Sequence, residues 1–223
     1  MESIAENLGR IAASLPREVR LVAVSKQHSA ASVEEAYRWG QRLFGENKVQ
    51  ELAEKYERLP KDIEWHFIGH LQTNKVKYIV PFVSLIHSAD SLKLLQTIDR
   101  EAGKCGRVVE CLLQFHIAEE ESKFGLDERE AGEMLESPLF REMRHIRIAG
   151  VMGMATYTGD REQIRKEFRR LREIFERLKQ DYFAEDPVFR EISMGMSGDY
   201  ELAVEEGSTL VRVGSSLFGE RSY

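Results

Sequence analysis

Short, nearly continuous apolar runs alternate with longer amphipathic stretches from one end of the chain to the other. The runs include Leu21-Val22-Ala23-Val24, Trp65-His66-Phe67-Ile68 and Val83-Ser84-Leu85-Ile86. Val108 to Phe115, Ile146 to Ala155, Ile192-Ser193-Met194 and Leu210-Val211-Arg212-Val213 continue the series. A strand with one wet face alternates apolar and polar residues, whereas unbroken apolarity marks a strand covered on both faces, as in a parallel sheet. Eight candidate strands result, near residues 20–26, 43–47, 64–69, 84–89, 108–116, 146–155, 190–195 and 209–214.

The stretches between them carry helix signals. Ser32 with Glu35 reads as a capping box ahead of Val33, Ala36 and Tyr37, and Gly40 stands where that helix would stop. Asp90 or Ser91 opens a second helix that Gly103 would close. Ile164, Phe168, Leu171, Phe175, Leu178 and Tyr182 step by threes and fours, which makes one apolar stripe on a face otherwise dense in Arg, Lys and Glu. A helix over about residues 2–14 precedes the first strand. Strand–helix alternation through the whole chain implies a parallel α/β fold. Eight units favour closure into a single (β/α)8 TIM barrel over residues 1–223, although an open doubly wound sheet shares the alternation.

Composition narrows the function classes. Lys and Arg total 32 against 38 Asp and Glu, a formal charge of −6, and no basic stripe interleaves with aromatics, so nucleic acid is not an expected partner. No apolar run approaches the roughly 20 residues that cross a bilayer. The first residues, MESIAENLGRIAASLP, carry acids where a signal peptide has a basic region and an apolar core. Cys105 and Cys111 match no metal or redox spacing and read as buried thiols in or near a strand, which suits a cytoplasmic protein.

Chemistry concentrates at the two ends of the chain. Lys26 follows the first apolar run, at the strand end where barrels build their sites. An amine partly withdrawn from water is a better nucleophile toward an aldehyde; the plain alternative is a rim lysine reaching solvent. Ser193-Met194-Gly195-Met196-Ser197-Gly198-Asp199 follows the seventh run, and Gly214-Ser215-Ser216 follows the eighth. Loops in these places recurrently bind phosphate, because small residues let backbone N–H groups and a helix start near Ser215 approach an anion. Arg212 interrupts an apolar strand, so its guanidinium needs a partner: an internal carboxylate such as Glu46, or an acceptor such as an aromatic ring nitrogen. Glu46 and Asn47 end the second strand. His66 and His70 are four apart, but on a strand running into a loop that spacing does not chelate a metal, and His66 either lines a site or is a hydrogen-bonded core histidine.

Taken in order, these fragments resemble the pyridoxal 5′-phosphate (PLP) binding proteins, also called PLP homeostasis proteins, whose fold is similar to the alanine racemase N-terminal barrel, the type III PLP fold. The resemblance runs through Ala23-Val24-Ser25-Lys26, Phe44-Gly45-Glu46-Asn47 with Val49-Gln50-Glu51, and Trp65-His66-Phe67-Ile68-Gly69 with Leu71-Gln72-Thr73-Asn74-Lys75. It continues through Glu121-Ser122-Lys123-Phe124-Gly125, Gly150-Val151-Met152, Ser193-Met194-Gly195-Met196-Ser197, Val211-Arg212-Val213-Gly214 and Phe218-Gly219-Glu220-Arg221. The resemblance implies an imine between PLP and Lys26, Ser197 with the Gly214-Ser215 backbone at the phosphate, and Arg212 at the pyridine nitrogen. It sets Asn47, His66 and Met196 near the ring, and leaves Lys123 either in transient contact with PLP or a solvent-exposed loop lysine. The family often has Thr-Lys or Thr-His after the imine lysine; here Gln27-His28 follows, so a second lysine at position 28 is absent.

A permanently cationic Arg212 favours the neutral pyridine and weakens the cofactor as an electron sink. Racemisation also needs a base on each face of the substrate carbon. In alanine racemase the second base comes from a further domain and a partner subunit, and this chain ends at Tyr223 without such a domain. These features favour holding over turnover, and the resemblance implies a monomeric PLP carrier that keeps the cofactor bound and releases it to apo forms of PLP-dependent enzymes. A small PLP-dependent amino-acid racemase or lyase is the alternative, and a phosphate-binding barrel enzyme without PLP is a third.

Overall fold

Each of the eight candidate strands forms, in the order expected. The computed structural model describes residues 3–120 and 124–219. The strands are β1 (Arg20–Val24), β2 (Leu43–Glu46), β3 (Glu64–Phe67), β4 (Leu85–Ala89), β5 (Val109–Gln114), β6 (Ile146–Met152), β7 (Glu191–Ser193) and β8 (Leu210–Val213). All pair in parallel with their sequence neighbours, and β8 pairs with β1, which closes the barrel. The helices are α1 (Ile4–Ser14), α2 (Ala30–Arg38), α3 (Val49–Arg58), α4 (Leu92–Lys104), α5 (Glu128–Glu136), α6 (Pro138–Arg141), α7 (Arg161–Tyr182), α8 (Tyr200–Glu205) and α9 (Ser215–Phe218). A 3-10 helix over Thr73–Tyr78 takes the place of an α-helix between β3 and β4.

Local chemistry explains the helix limits. Ser3 and Glu6 form a reciprocal capping box at α1. The α7 stripe is confirmed at Ile164, Phe168, Leu171 and Leu178, which are buried with Ile174, while Tyr182 at its end is 39% exposed. Two helix signals are displaced. Ser29, not Ser32, caps α2, its hydroxyl accepting the Ser32 N–H, so Ser32 lies in the first turn. The fourth helix is capped by Ser91 as expected but runs past Gly103, which packs against the His145 ring, and ends near Gly106 at φ +64°. Cys111 is a buried thiol, whereas Cys105 is exposed at the end of α4.

Most of the core lies between the strands and the surrounding helices. A smaller cluster, Val22, Leu85, Leu112, Ala149, Met152 and Leu210, comes from inward positions of β1, β4, β5, β6 and β8 and fills the barrel itself. On the side of the strand N-termini an ion pair between Arg20 and Glu191 (2.8 Å) stands beside it, with Thr209 Oγ1 also donating to Glu191. Toward the strand C-termini, alternate inward positions become polar: His66, His87, Ser193 and Arg212. The candidate site sits beyond this polar layer.

Candidate functional site

Lys26 lies two residues beyond β1. The turn that carries it is tightly held. Ser25 N–H donates to Gly45 O (3.1 Å), His28 N–H returns to Ser25 O (3.0 Å), and Gln27 adopts φ +65°, a left-handed conformation uncommon for a residue with a side chain. His28 stacks on Phe218 at a ring separation of 5.0 Å.

The β7 and β8 loops meet at Ser197. Its hydroxyl oxygen accepts the backbone N–H of Gly214 (3.2 Å) and lies 3.5 Å from that of Ser216. A side chain at Gly214 would come within 3.0 Å of Val24 O, so the absence of one lets this loop lie against the end of β1. Asp199 accepts the Met196 N–H (2.5 Å) and shapes the β7 loop.

Arg212 is buried on the inner wall. It donates to Ser193 Oγ (2.6 Å) and to Gly153 O (3.1 Å) and has no salt bridge among the described residues. Glu46 is not its partner: that carboxylate accepts from Ser25 Oγ (2.6 Å) and Lys55 Nζ (2.7 Å) on the other side of β2. Burial without a paired carboxylate pushes the guanidinium down to about 10, with Asp199 opposing. Ser193 Oγ lies 2.9 Å from His87 Nδ1, and His87 Nε2 lies 2.9 Å from His66 Nδ1. A guanidinium only donates, so Ser193 Oγ accepts from Arg212, and the Ser193, His87 and His66 side chains form a continuous hydrogen-bonded relay behind it. Burial holds both histidines neutral, with His66 pushed down to about 3.

A cavity of about 670 Å³ opens at the C-terminal end of the strands. Seven of the anticipated site residues, Lys26, Asn47, Met196, Ser197, Arg212, Gly214 and Ser215, line it together. His66 does not line it; it is 2% exposed and reaches Arg212 only through His87 and Ser193. His70 sits apart from His66, on the rim, with Nδ1 3.4 Å from Asp90. Asn47 Oδ1 is buried with no hydrogen-bond partner, an acceptor left open at the cavity wall. Lys123 lies outside the described residues. His87 and Ser193 were missed as a pair, although each is a polar residue at an inward position of an apolar run.

The alanine racemase N-terminal domain model matches residues 1–222. The chain is 42% identical over 205 residues to the pyridoxal phosphate homeostasis protein of Aquifex aeolicus, covering 92% of this chain and 88% of that one. It is 37% identical to the human protein of the same name, over 100% of this chain and 86% of the relative. The chain belongs to the pyridoxal phosphate homeostasis protein family. Among solved members of the family, PipY of Synechococcus elongatus with PLP bound superposes with a TM-score of 0.86 at 39% identity, covering 97% of this chain and all of PipY. Alanine racemase from Bartonella henselae, at 16% identity and a TM-score of 0.72, shares the barrel; this chain covers 59% of it. This chain thus combines that barrel with the rim constellation described above.

Proposed function

We propose that this chain is a cytoplasmic carrier of PLP that holds the cofactor covalently through Lys26 and serves vitamin B6 homeostasis with little or no turnover. The observation that carries this reading is the convergence of Lys26, Arg212 and the Ser197–Gly214 cradle on one cavity. The names of its relatives and the PLP in PipY support it.

The residues present fit the group. PLP, when bound, supplies an electrophilic aldehyde and an electron-withdrawing ring. Lys26 would bind the aldehyde carbon, and Ser197 with the Gly214 and Ser215 backbone would hold the phosphate. Arg212 would donate to the ring nitrogen, while Asn47 and Met196 would line the ring and His66 would act through His87 and Ser193. Because Arg212 has donors only, it keeps the ring nitrogen unprotonated, which supports holding over turnover. A reducing compartment suits the two free cysteines, and no helix among the described residues is long and apolar enough to cross a membrane. Apo forms of PLP-dependent enzymes are the recipients, and the carrier works as a monomer.

Borohydride reduction of the loaded protein followed by peptide mapping tests the attachment. The label is expected on the peptide containing Lys26, with the visible absorption band lost in Lys26→Ala. A label on another lysine overturns the assignment. Delivery is measured by mixing loaded protein with an apo-enzyme, where activation no faster than with free PLP counts against a carrier. Solvent deuterium appearing at the α carbon of any amino acid in a broad panel would replace the carrier reading with a racemase-type enzyme.

A further inference from the structure

Lys55 is a lysine on α3 that is only 5% exposed and has no place in the cavity lining. Its ammonium donates to Ser25 O (2.7 Å), Glu46 Oε1 (2.7 Å) and Glu51 Oε1 (2.8 Å), which uses all three of its N–H groups. These acceptors surround the attachment turn. Ser25 O belongs to the peptide bond joining Ser25 to Lys26. Glu51 Oε1 also accepts the Gln27 N–H (2.6 Å), which belongs to the peptide joining Lys26 to Gln27. Glu46 Oε1 also accepts the Ser25 hydroxyl (2.6 Å). One buried ammonium therefore pins, directly or through a carboxylate, both peptide units that flank Lys26.

The arrangement is costly as a way of docking a helix. An ammonium and a carboxylate are both taken out of water, and apolar residues would hold α3 on the barrel with less desolvation. Glu46 Oε2 is buried with no hydrogen-bond partner, so the carboxylate is held through Oε1 alone. Burial pushes the Glu46 carboxyl up, and Lys55 opposes that shift. The turn itself resists its conformation, since Gln27 sits at φ +65° with a full side chain. A strained turn persists only where its surroundings over-determine it, and here Lys55, Glu46 and Glu51 do so.

We propose that Lys55, with Glu46 and Glu51, is a positioning cluster that fixes the backbone on either side of Lys26 and so presents its amine to the aldehyde of PLP. This rests on the reading of Lys26 as the attachment point.

The test compares two ligands on the full-length apo-protein. PLP capture is followed by borohydride trapping and peptide mass at Lys26. Pyridoxine 5′-phosphate, which has the phosphate and ring but no aldehyde, reports non-covalent binding alone. In Lys55→Met, capture at Lys26 is expected to slow by about 10-fold or more, because misplacing a reacting group carries penalties of that order. Affinity for pyridoxine 5′-phosphate is expected to stay at the wild-type value. Capture at the wild-type rate, or an equal loss for both ligands, overturns the proposal. If Lys55→Met does not fold, Glu51→Ala decides: it removes, from a side chain that is 21% exposed, the acceptor shared by Lys55 and the Gln27 N–H, and wild-type capture by it overturns the proposal. Wild-type protein that takes up PLP without labelling Lys26 overturns the attachment reading itself, and this inference with it.

Discussion

His66 and His87 are neutral because the barrel interior gives an imidazolium no water and no carboxylate. His66 is pushed down to about 3 and His87 well below the ordinary value, in each case by burial first. In the unfolded chain both titrate near the usual 6.5. Between those limits the unfolded chain takes up protons that the folded chain refuses. The stability they contribute is complete above about pH 6.5 and is lost as pH falls toward 3, at up to about 1.4 kcal/mol per pH unit for each group. Urea midpoints measured from pH 7 to pH 5 are expected to fall steadily, and less steeply in His66→Gln. A midpoint independent of pH over that range would show that these rings protonate freely in the native state. At this scale the chemistry was unevenly legible. Lys26, Ser197 and Arg212 stand out as polar residues at the ends of, or inside, apolar runs. His87 occupies the same kind of position, but a core histidine satisfied by its neighbours leaves an identical pattern.

Among the elements, glycine separates positions that look alike in sequence. Gly9 lies on the exposed side of α1, and a Cβ there would meet nothing within 4 Å. Gly150 lies in β6 at φ +151°, where a Cβ would fall 1.8 Å from Glu191 O of the neighbouring β7. The register between β5 and β6 also shifts there, with Cys111 opposite Ile148 and Leu112 opposite Gly150. Gly9→Ala is expected to stabilise the protein by about 0.5–1 kcal/mol through helix propensity. Gly150→Ala is expected to cost more than about 2 kcal/mol, since a strand must move. Chemical denaturation of both variants checks the pair, and a Gly150→Ala protein as stable as wild type would mean that the β6–β7 approach is not tight. The capping errors have a related cause. Ser29 and Ser32 both satisfy the cap pattern, and the site of the last extended residue before the helix depends on how α2 packs.

Across the whole molecule, the cavity joins the first strand to the last two. β8 meets β1 at four register positions and β7 at Ser193↔Leu210, with the Ser208 hydroxyl donating across that seam to Met194 O (2.8 Å) and lying within reach of Ile192 O and Leu210 O. A ligand held at Lys26 and at the Ser197 cradle would span both seams and stabilise the folded barrel by mass action. At 100 times its Kd, PLP is expected to add about 2.7 kcal/mol. For a chain of this size that corresponds to roughly 5–10 °C in Tm. Pyridoxal at the same concentration lacks the anion and is expected to shift Tm much less. Equal shifts for the two compounds in a thermal melt would remove the cradle from the binding site.

The linear chain by itself determined the eight strands, their parallel sense and the two ends at which chemistry gathers. Burial on both faces writes itself as unbroken apolarity, and polar residues that interrupt such runs are conspicuous. Only the folded barrel decided which polar groups meet. The contacts of Arg212 with Ser193 and Gly153, the His66–His87 pair, and the grip of Lys55 on the Lys26 turn join residues far apart in the chain. Such pairings depend on strand register and closure, which no local pattern encodes.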